Sequence, residues 1–416
     1  MIKRFVRYYR PHIKLFILDM FCALLISVID LIFPIVTSKA LKGYIPDKNL
    51  RMLFIAGAIL LVIYGLRFLL SYIIGYWGHV MGIRIETDMR TDLFHKFQTL
   101  DYQFYDDKKT GELMTNLTTH LHDVSEMSHH APENLFISFI MLIGSFVILL
   151  NVNVLLTVIV FVFLFMLIFY SLSRRKKMLS TFRSVRNVQG ELNAEVESSL
   201  SGIRLTKAFT NEDYEQNKFE KVNRKYRKAR SNVFREIGLF GSGNDFFINL
   251  TNLAVLVFGG YFVYKKHIDY VDLTQYFLYI NFLIKPIQRL TNSMEQLQQG
   301  FSGMEKFMKI MEINPSIVVK NNTVTKEDIQ GDIEFKNVYF QYKQEESYEH
   351  ILNNFNLFIP AGKKIALVGE TGVGKTTISK LIPRFYDVSD GEVLLDGINI
   401  KDYDLYNLRN TIGTVQ

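Results

Sequence analysis

The stretch that decides the fold reads Gly369-Glu370-Thr371-Gly372-Val373-Gly374-Lys375-Thr376 in a chain of 416 residues. The apolar run Lys364–Val368 precedes it and predicts a β-strand, while the residues from Thr377 to Leu381 predict a helix. A loop of the form G-x-x-x-x-G-K-[ST] between a strand and a helix is a phosphate-binding loop. The alternative is a glycine-rich turn without function, and the flanking strand and helix argue against it.

The residue types of this loop suit the binding of ATP phosphates. Its glycines let the backbone curl, so that successive N–H groups and the helix N-terminus face one phosphate group. Lys375 is predicted to reach the β- and γ-phosphates, and the Thr376 hydroxyl is predicted to ligate Mg²⁺. We therefore predict an ATP site at residues 369–376 together with Thr377.

The composition of the whole chain indicates a membrane protein. The sequence has 34 Phe and 22 Tyr, 49% hydrophobic residues and only 21% charged residues. The net charge of +7 is concentrated between the apolar runs, which favours an anionic membrane surface over nucleic acid as the partner. Cys22 is the single cysteine, so an intrachain disulfide and a cysteine-based zinc site are excluded.

Six apolar runs have the length that a helix needs to cross a bilayer, roughly 20 residues. The sixth is the weakest, because Gln275, Asn281, Lys285 and Pro286 interrupt it. The predicted spans are Leu15–Val36, Leu53–Trp77, Asn134–Leu150, Val154–Leu172, Phe246–Tyr264 and Val271–Leu290.

The connections after spans two and four are long, and the others are short. Arg84–Leu100 and Gln189–Ile237 fill the long connections and contain few helix breakers, so we expect the membrane helices to continue beyond the bilayer on one side. The basic stretch Arg174–Arg235 places that side, with both termini, in the cytoplasm. The first outer loop is an exception, since it also contains several Lys and Arg residues.

Some ionisable residues lie in or near the predicted spans. For Asp30 and Arg67, a functional role and a structural ion pair both remain open. The histidines at 120, 122, 129 and 130 resemble a metal cluster in their spacing. However, His120 and His122 are two residues apart and face different sides of a helix, so a metal site is not favoured.

The pattern changes after the polar stretch Ser316–Gln330, which is typical of a linker. Polar and apolar residues alternate in Asp332–Val338, as in a half-buried strand, and further short strands are predicted around Tyr339–Tyr342 and Ile351–Ile359. The fold prediction is therefore a multi-domain chain. An α-helical six-span transmembrane domain with long cytoplasmic helices occupies residues 1–314, a linker 315–331, and an incomplete α/β P-loop nucleotide-binding domain 332–416.

In this order of parts the chain resembles an ABC exporter half-transporter of the lipid and multidrug type. Phe104–Leu113 and Glu197–Phe209 are similar to that family's two cytoplasmic excursions, and Tyr342 resembles its aromatic residue that stacks on adenine. The resemblance implies short coupling helices near Thr118–Glu126 and Thr210–Tyr214.

The same resemblance implies ATP and Mg²⁺ as cofactors and a second half-transporter, identical or paralogous, as partner. It also implies an amphipathic substrate, drug or lipid, that is exported across the cytoplasmic membrane. Residue usage rich in Lys, Asn and Ile is typical of a low-GC bacterium.

The stretch Leu408–Gln416 resembles the family's strand that ends in a glutamine contacting Mg²⁺ and water, here Gln416. The family's Leu-Ser-Gly-Gly-Gln signature, catalytic glutamate and switch histidine do not occur in this sequence. We therefore assign no catalytic residue, expect a truncated chain that does not hydrolyse ATP alone, and expect the Lys364–Val368 strand to expose apolar surface. Two alternatives stay open, a split transporter completed by another chain and a non-transporting nucleotide-binding membrane protein.

Overall fold

The computed structural model of the chain describes residues 2–106, 108–318, 323–342, 351–370 and 372–415. It divides into two compact units. The first unit comprises Met1–Met89 and Thr119–Lys306, and the second comprises Arg90–Thr118 and Phe307–Gln416. The segment 90–118, which connects two predicted spans, therefore belongs to the same unit as the phosphate-binding loop.

Helices dominate the described chain up to residue 311, and two short helices follow in the C-terminal part. In chain order they are α1 (Ile2–Tyr9), α2 (Ile13–Lys39), α3 (Leu50–Ile73), α4 (His79–Thr99), α5 (Tyr102–Asp106), α6 (Thr110–Leu117), α7 (Thr119–Leu150), α8 (Val154–Ser201), α9 (Ile203–Ala208), α10 (Glu212–Ala254), α11 (Gly260–Tyr264), α12 (Tyr270–Met311), α13 (Lys375–Leu381) and α14 (Leu405–Thr411). A 3₁₀ turn at Arg10–His12 and π-helical turns at Ala40–Tyr44, Ile74–Gly78 and Val255–Gly259 adjoin these helices.

Five helical stretches of the described chain are long and apolar enough to cross a membrane. They are Lys3–Tyr44, Leu50–Thr99, Thr110–Leu150, Val154–Ser201 and Glu212–Tyr264, and each contains one of the first five predicted spans. The sixth prediction, Val271–Leu290, lies within α12 but is not among these five stretches. The polar residues that interrupt this segment account for its lower hydropathy.

The membrane helices continue well past the length of a span, as predicted. Helix α8 has 48 residues, which corresponds to about 72 Å at the usual rise per residue. It packs along α10, where Lys218 Nζ lies 2.8 Å from Glu195 Oε1 and the Ser199 hydroxyl donates to Glu215. The predicted helix Gln189–Ile237 is broken, because the chain reverses between α8 and α10 through α9 and through Thr210 at φ +52°.

The core of the first unit is apolar, and two of its buried tyrosines find hydrogen-bond partners on neighbouring helices. The Tyr276 hydroxyl of α12 lies 2.7 Å from Thr157 Oγ1 of α8, and Tyr279 donates to the carbonyl of Leu31 in α2. Helix α3, in contrast, is almost entirely exposed over its apolar window. An apolar helix with an exposed surface is typical of contact with lipid.

Asp30 of α2 and Arg67 of α3 form an ion pair, so the structural reading of these residues is confirmed. Arg67 Nε lies 2.7 Å from Asp30 Oδ1, and Nη2 lies 3.1 Å from Oδ2. Two parallel hydrogen bonds of this kind fix the mutual orientation of both side chains. The pair therefore joins the two helices inside their apolar segments.

An antiparallel sheet forms the centre of the second unit. Its strands are β1 (Ile333–Phe340), β2 (Leu352–Ile359), β3 (Asp390–Leu395) and β4 (Ile398–Asn399), in the order β2-β1-β3-β4. The predictions for Asp332–Val338 and Ile351–Ile359 are confirmed by β1 and β2. A separate strand at Tyr339–Tyr342 is wrong, because β1 continues to Phe340. Phe335, Leu381 and Leu408 belong to the core that the sheet shares with α13 and α14.

The strand predicted at Lys364–Val368 is wrong. These residues adopt no regular secondary structure, and within the described ranges no strand pairs with them. Ile365, Leu367 and Val368 are 47%, 38% and 88% exposed, so the expected exposure of apolar surface is confirmed. The strand expected over Leu408–Gln416 is also absent from the described residues, because residues 408–411 belong to α14 and residues 412–415 lack a pairing strand. Both segments have strand-like sequences, but a strand forms only where a neighbour satisfies its backbone groups.

The hairpin between β3 and β4 depends on Asp396. Asp396 and Gly397 have φ of +50° and +76°, as a two-residue type I′ turn requires. The Asp396 carboxylate accepts hydrogen bonds from Lys326 Nζ and from the N–H groups of Gln330, Gly331 and Asp332, at 2.7–3.0 Å. Burial alone would raise the pKa of Asp396, yet these donors lower it from 3.8 to about 2.

We predict that Arg67→Met destabilises the first unit, because it leaves the Asp30 carboxylate without its partner in apolar surroundings. The expected cost is about 1.5–3 kcal/mol, as for a hydrogen-bonded charged group. The measurement is the thermal unfolding midpoint in detergent. The double variant Asp30→Asn/Arg67→Met should recover much of the loss, and Lys285→Met, which removes an exposed cation from α12, should change little. Equal midpoints for Arg67→Met and the wild type would contradict this account.

We predict that Asp396→Asn destabilises the second unit much more at neutral pH than in acid. A folded pKa of about 2 against an unfolded 3.8 means that the stabilisation is complete above about pH 5 and declines as the pH falls towards 2. A shift of this size corresponds to about 2–3 kcal/mol. Unfolding by denaturant at pH 7 and pH 2.5 measures the difference. Asp390→Asn is the matched control, because the Asp390 carboxylate accepts a hydrogen bond from the N–H of its neighbour Gly391.

Candidate nucleotide-binding site

Glycines allow the phosphate-binding loop to curl where a side chain would not fit. Gly372 and Gly374 have φ of +94° and +99°, a region that other residues rarely adopt. A β-carbon at Gly374 would also lie 3.1 Å from Ile351 Cγ2 and 3.2 Å from Leu352 Cδ2. Gly374 therefore brings the loop close to the start of β2, and α13 begins at the next residue.

Lys375 extends back over the loop that precedes it. Its ammonium donates to the carbonyl oxygens of Gly369 and Glu370 at 2.9 and 2.6 Å. This places a positive charge at the mouth of the loop, where a phosphate group needs it. The predicted Mg²⁺ ligand Thr376 is exposed on the first turn of α13. Thr371 and Gln416 were also predicted to belong to the site and lie outside the described residues.

Tyr342 lies next to the helix that follows the loop. Its hydroxyl is 3.3 Å from Thr377 Oγ1, and its ring meets the ring of Tyr386 edge to face with a centroid distance of 5.2 Å. Lys380 Nζ is 5.9 Å and 5.7 Å from the centroids of these two rings. The Tyr342 ring and the Lys380 ammonium therefore lie close to the helix that follows the loop.

These residues line one cleft of about 880 Å³. Of the predicted site residues, it is lined by Tyr342, Gly372, Gly374, Lys375, Thr376 and Thr377. Gly369, Glu370 and Val373 are exposed in the same loop but do not line the cleft. The size of the cleft is in the range of small-molecule and cofactor sites.

The cleft also contains residues that the sequence analysis missed, among them Gln103 and Asp106 of α5. Tyr102 stacks on Phe385 with a centroid distance of 4.1 Å, and the Tyr386 hydroxyl donates to the Asp106 carboxylate. Burial and the adjacent Asp106 raise the pKa of Tyr386. The sequence did single out this region, since α5 overlaps the segment that resembles the first excursion. Nothing in the sequence indicated that α5 would contact Phe385 and Tyr386.

A second set of hydrogen bonds holds α5 in place. Asp101, just before α5, accepts from the hydroxyl and N–H of Ser316 and from the N–H of Ile317. Burial alone would raise the pKa of Asp101, but these donors lower it below its ordinary value. Asp101 therefore stays ionised at neutral pH and binds the chain segment that leads to the sheet.

The short helices of the two excursions differ in position from the expectation. They are α5 (Tyr102–Asp106) and α6 (Thr110–Leu117) in the first excursion and α9 (Ile203–Ala208) in the second, whereas residues 119–126 belong to the long helix α7. The chain leaves the helical conformation at Thr118, with φ −114° and ψ −82°, directly after α6. It leaves it again at Thr210, shortly after α9.

Comparisons with known proteins agree with this arrangement. Residues 16–287 match the family described as "ABC transporter transmembrane region", and residues 352–416 match the family described as "ABC transporter". This chain belongs to the ABC exporter half-transporters. Its second unit accordingly contains a nucleotide-binding module of that family, and its first unit places it among multi-pass membrane proteins.

Three relatives cover nearly all of this ABC exporter chain. The "Uncharacterized ABC transporter ATP-binding protein YwjA" of Bacillus subtilis is 35% identical over 416 residues, which is 100% of this chain and 72% of that protein. YknV of the same organism, also named an uncharacterized ABC transporter ATP-binding protein, is 30% identical over 99% of this chain and 68% of its own length. The "ATP-dependent lipid A-core flippase" of Syntrophus aciditrophicus is 29% identical over 99% of this chain and 68% of that protein.

We predict that Tyr342→Ala weakens ATP binding and that Tyr342→Phe retains it. Stacking of a base on an aromatic ring contributes about 1–3 kcal/mol, which corresponds to a loss of roughly five- to more than 100-fold in affinity. Displacement of a fluorescent ATP analogue from the purified protein measures this loss. Tyr406→Ala is the matched control, because Tyr406 is exposed on α14 and does not line the cleft. Equal losses for Tyr342→Ala and Tyr342→Phe would assign the effect to the hydroxyl rather than to stacking.

Proposed function

We propose that this ABC exporter subunit binds ATP with Mg²⁺ in the cleft and drives the outward transport of an amphipathic substrate, drug or lipid, across the cell membrane. It acts with a second half-transporter, identical or paralogous. Residues 1–314 form the transmembrane domain, 315–331 the linker and 332–416 the part of the nucleotide-binding domain in this chain. Lys375 binds the phosphates, Tyr342 stacks on the base, and Thr376 and Gln416 ligate Mg²⁺.

The observation that carries this proposal is that α5 lines the same cleft as Lys375 and Tyr342. Helix α5 follows directly on α4, which continues the third helix of the membrane region through a π-helical turn. Tyr386 contacts Tyr342 on one side and Asp106 on the other. A nucleotide that moves Tyr342 or Lys380 therefore changes the contacts of α5, which is the linkage that ATP-driven transport needs.

The chemistry of the first unit supports an amphipathic substrate. Its apolar helices carry exposed aromatic side chains such as Phe54, Phe68 and Phe169, while α12 adds amide and cationic groups. A substrate with both apolar and polar parts matches such a surface. The name of the Syntrophus relative, a lipid A-core flippase, supports a lipid.

Both termini are proposed to lie in the cytoplasm, where ATP is available. The basic stretch Arg174–Arg235 supports this orientation. The basic first outer loop is less of an exception than its sequence suggests. Lys42 Nζ lies 2.6 Å from Asp272 Oδ1 of α12 and 2.9 Å from Asp269 Oδ2 in the connection before α12, so these two carboxylates neutralise the charge of Lys42.

We predict that Lys375→Ala at the native chromosomal locus, where any partner subunit is present, stops export. A charge-assisted hydrogen bond to phosphate contributes about 1.5–3 kcal/mol, so ATP binding should fall by tenfold or more. Cells are loaded with a cationic amphipathic dye or a short-chain fluorescent phospholipid, and retention is compared among wild type, variant and deletion strain. The two probes distinguish a drug-like from a lipid substrate.

Lys363→Ala is the control for this experiment, since Lys363 is an exposed lysine close to the loop in sequence but outside the cleft. It should export like the wild type. If Lys375→Ala lowers ATP binding while neither Lys375→Ala nor deletion changes the retention of either probe, the transport proposal fails and a nucleotide sensor takes its place.

A further inference from the structure

Three histidines of the first unit come together although they are distant in sequence. His79 begins α4, directly after the π-helical turn Ile74–Gly78, and His129 and His130 lie in α7. One ligand nitrogen of each lies within 4.8 Å of those of the other two. The ring centroids are 4.1–5.0 Å apart. π-Helical turns occur frequently at functional sites.

His129 has the tautomer and the environment of a metal ligand. Its side chain is 2% exposed, and Nδ1 lies 2.9 Å from the carbonyl oxygen of Ser125. A carbonyl oxygen only accepts, so Nδ1 carries the proton and Nε2 carries a lone pair. Nε2 is buried and has no hydrogen-bond partner among the described residues. A histidine ligand commonly donates its other N–H to a backbone carbonyl in this way.

A buried carboxylate lies beside the histidines. Asp19 of α2 is 1% exposed, and neither of its oxygens has a hydrogen-bond partner in the described part of the chain. Oδ1 would lie 3.0 Å from a β-carbon on Gly78, the residue before His79, and the same β-carbon would lie 3.9 Å from His129 Cδ2. A buried carboxylate without a partner is costly, and a bound cation offsets that cost.

A second carboxylate and an opening complete the surroundings. Glu133 Oε2 lies 3.7 Å from His130 Nδ1, and Glu126 Oε2 lies 3.6 Å from His130 Nε2. His79, His130 and Glu133 also line a cavity of about 220 Å³. The cluster therefore has two carboxylates beside it and borders a cavity that Arg67 and Arg289 also line.

We propose that His79, His129, His130 and Asp19 bind a divalent transition metal ion such as Zn²⁺. Three imidazole nitrogens and one carboxylate oxygen are a usual donor set for zinc. Nitrogens bound at about 2.0–2.1 Å in a tetrahedron stand about 3.4 Å apart, so modest side-chain rotation from the observed separation forms the site. The ion would join α2, α4 and α7, and the bound protein would resist relative movement of these helices.

The spacing of histidines in sequence pointed to the wrong partners. His120 and His122 are outside the cluster. His120 lies 2.7 Å from Lys306 Nζ, and His122 Nδ1 lies 3.9 Å from Glu86 Oε2. The neglected partners were His79 and Asp19, which lie on other helices.

Titration of the metal-stripped, tag-free, full-length protein in detergent with ZnCl₂ tests the proposal by calorimetry. Co²⁺ serves as a second probe, because its visible absorption reports tetrahedral coordination. One Zn²⁺ per chain and a raised thermal unfolding midpoint are expected. His79→Ala, which changes an exposed residue, should weaken Zn²⁺ binding at least tenfold and abolish the rise in midpoint, and Asp19→Asn should weaken binding in the same direction.

His122→Ala is the matched control, because His122 is an exposed histidine on the same helix as His129 and should bind Zn²⁺ like the wild type. Circular dichroism and gel filtration of His79→Ala establish that the variant is folded. No stoichiometric binding by the wild type, or equal affinity in the wild type and a folded His79→Ala, would overturn the proposal. An equal loss in His122→Ala would show binding by surface histidines and would overturn it as well.

Discussion

Every backbone N–H and C=O group that leaves water needs a hydrogen-bond partner, and this requirement governs both units of the chain. In the first unit the long helices satisfy it within themselves, so an exposed and apolar helix such as α3 is stable in lipid. In the second unit the antiparallel strands satisfy one another. The segment Lys364–Val368 has an equally strand-like sequence, but it has no pairing strand in the described chain and stays irregular. The same sequence preference therefore gives different results according to the neighbours.

The nucleotide cleft depends on contacts that bring distant parts of the chain together. The loop residues have the composition of a phosphate-binding loop, and their local sequence is sufficient for that prediction. The position of α5 beside them is decided by Asp101 with Ser316, Tyr102 with Phe385, and Asp106 with Tyr386. These are hydrogen bonds to two carboxylates and one aromatic stack, all within the second unit. They place a helix of the segment 90–118 beside the loop within that unit.

Buried polar groups of the membrane region fall into two kinds. Asp30 and Arg67 satisfy each other in a two-point ion pair, and Tyr276 and Tyr279 donate to neighbouring helices. Asp19 and His129 are more deeply buried than the ion pair and lack partners among the described residues. The groups with partners hold neighbouring helices in fixed positions relative to one another. The second kind is expected where a ligand supplies the missing partner.

The sequence by itself determined the features that depend on neighbouring residues. Hydropathy gave five of the apolar helices, alternation gave β1 and β2, and glycine spacing gave the phosphate-binding loop with Lys375 at its end. Tertiary structure alone decided which segments pair and which side chains meet. It left Lys364–Val368 unpaired, placed α5 in the cleft, and assembled His79 with His129, His130 and Asp19. Those outcomes depend on contacts between residues 50 to 280 positions apart, and local periodicity contains no information about them.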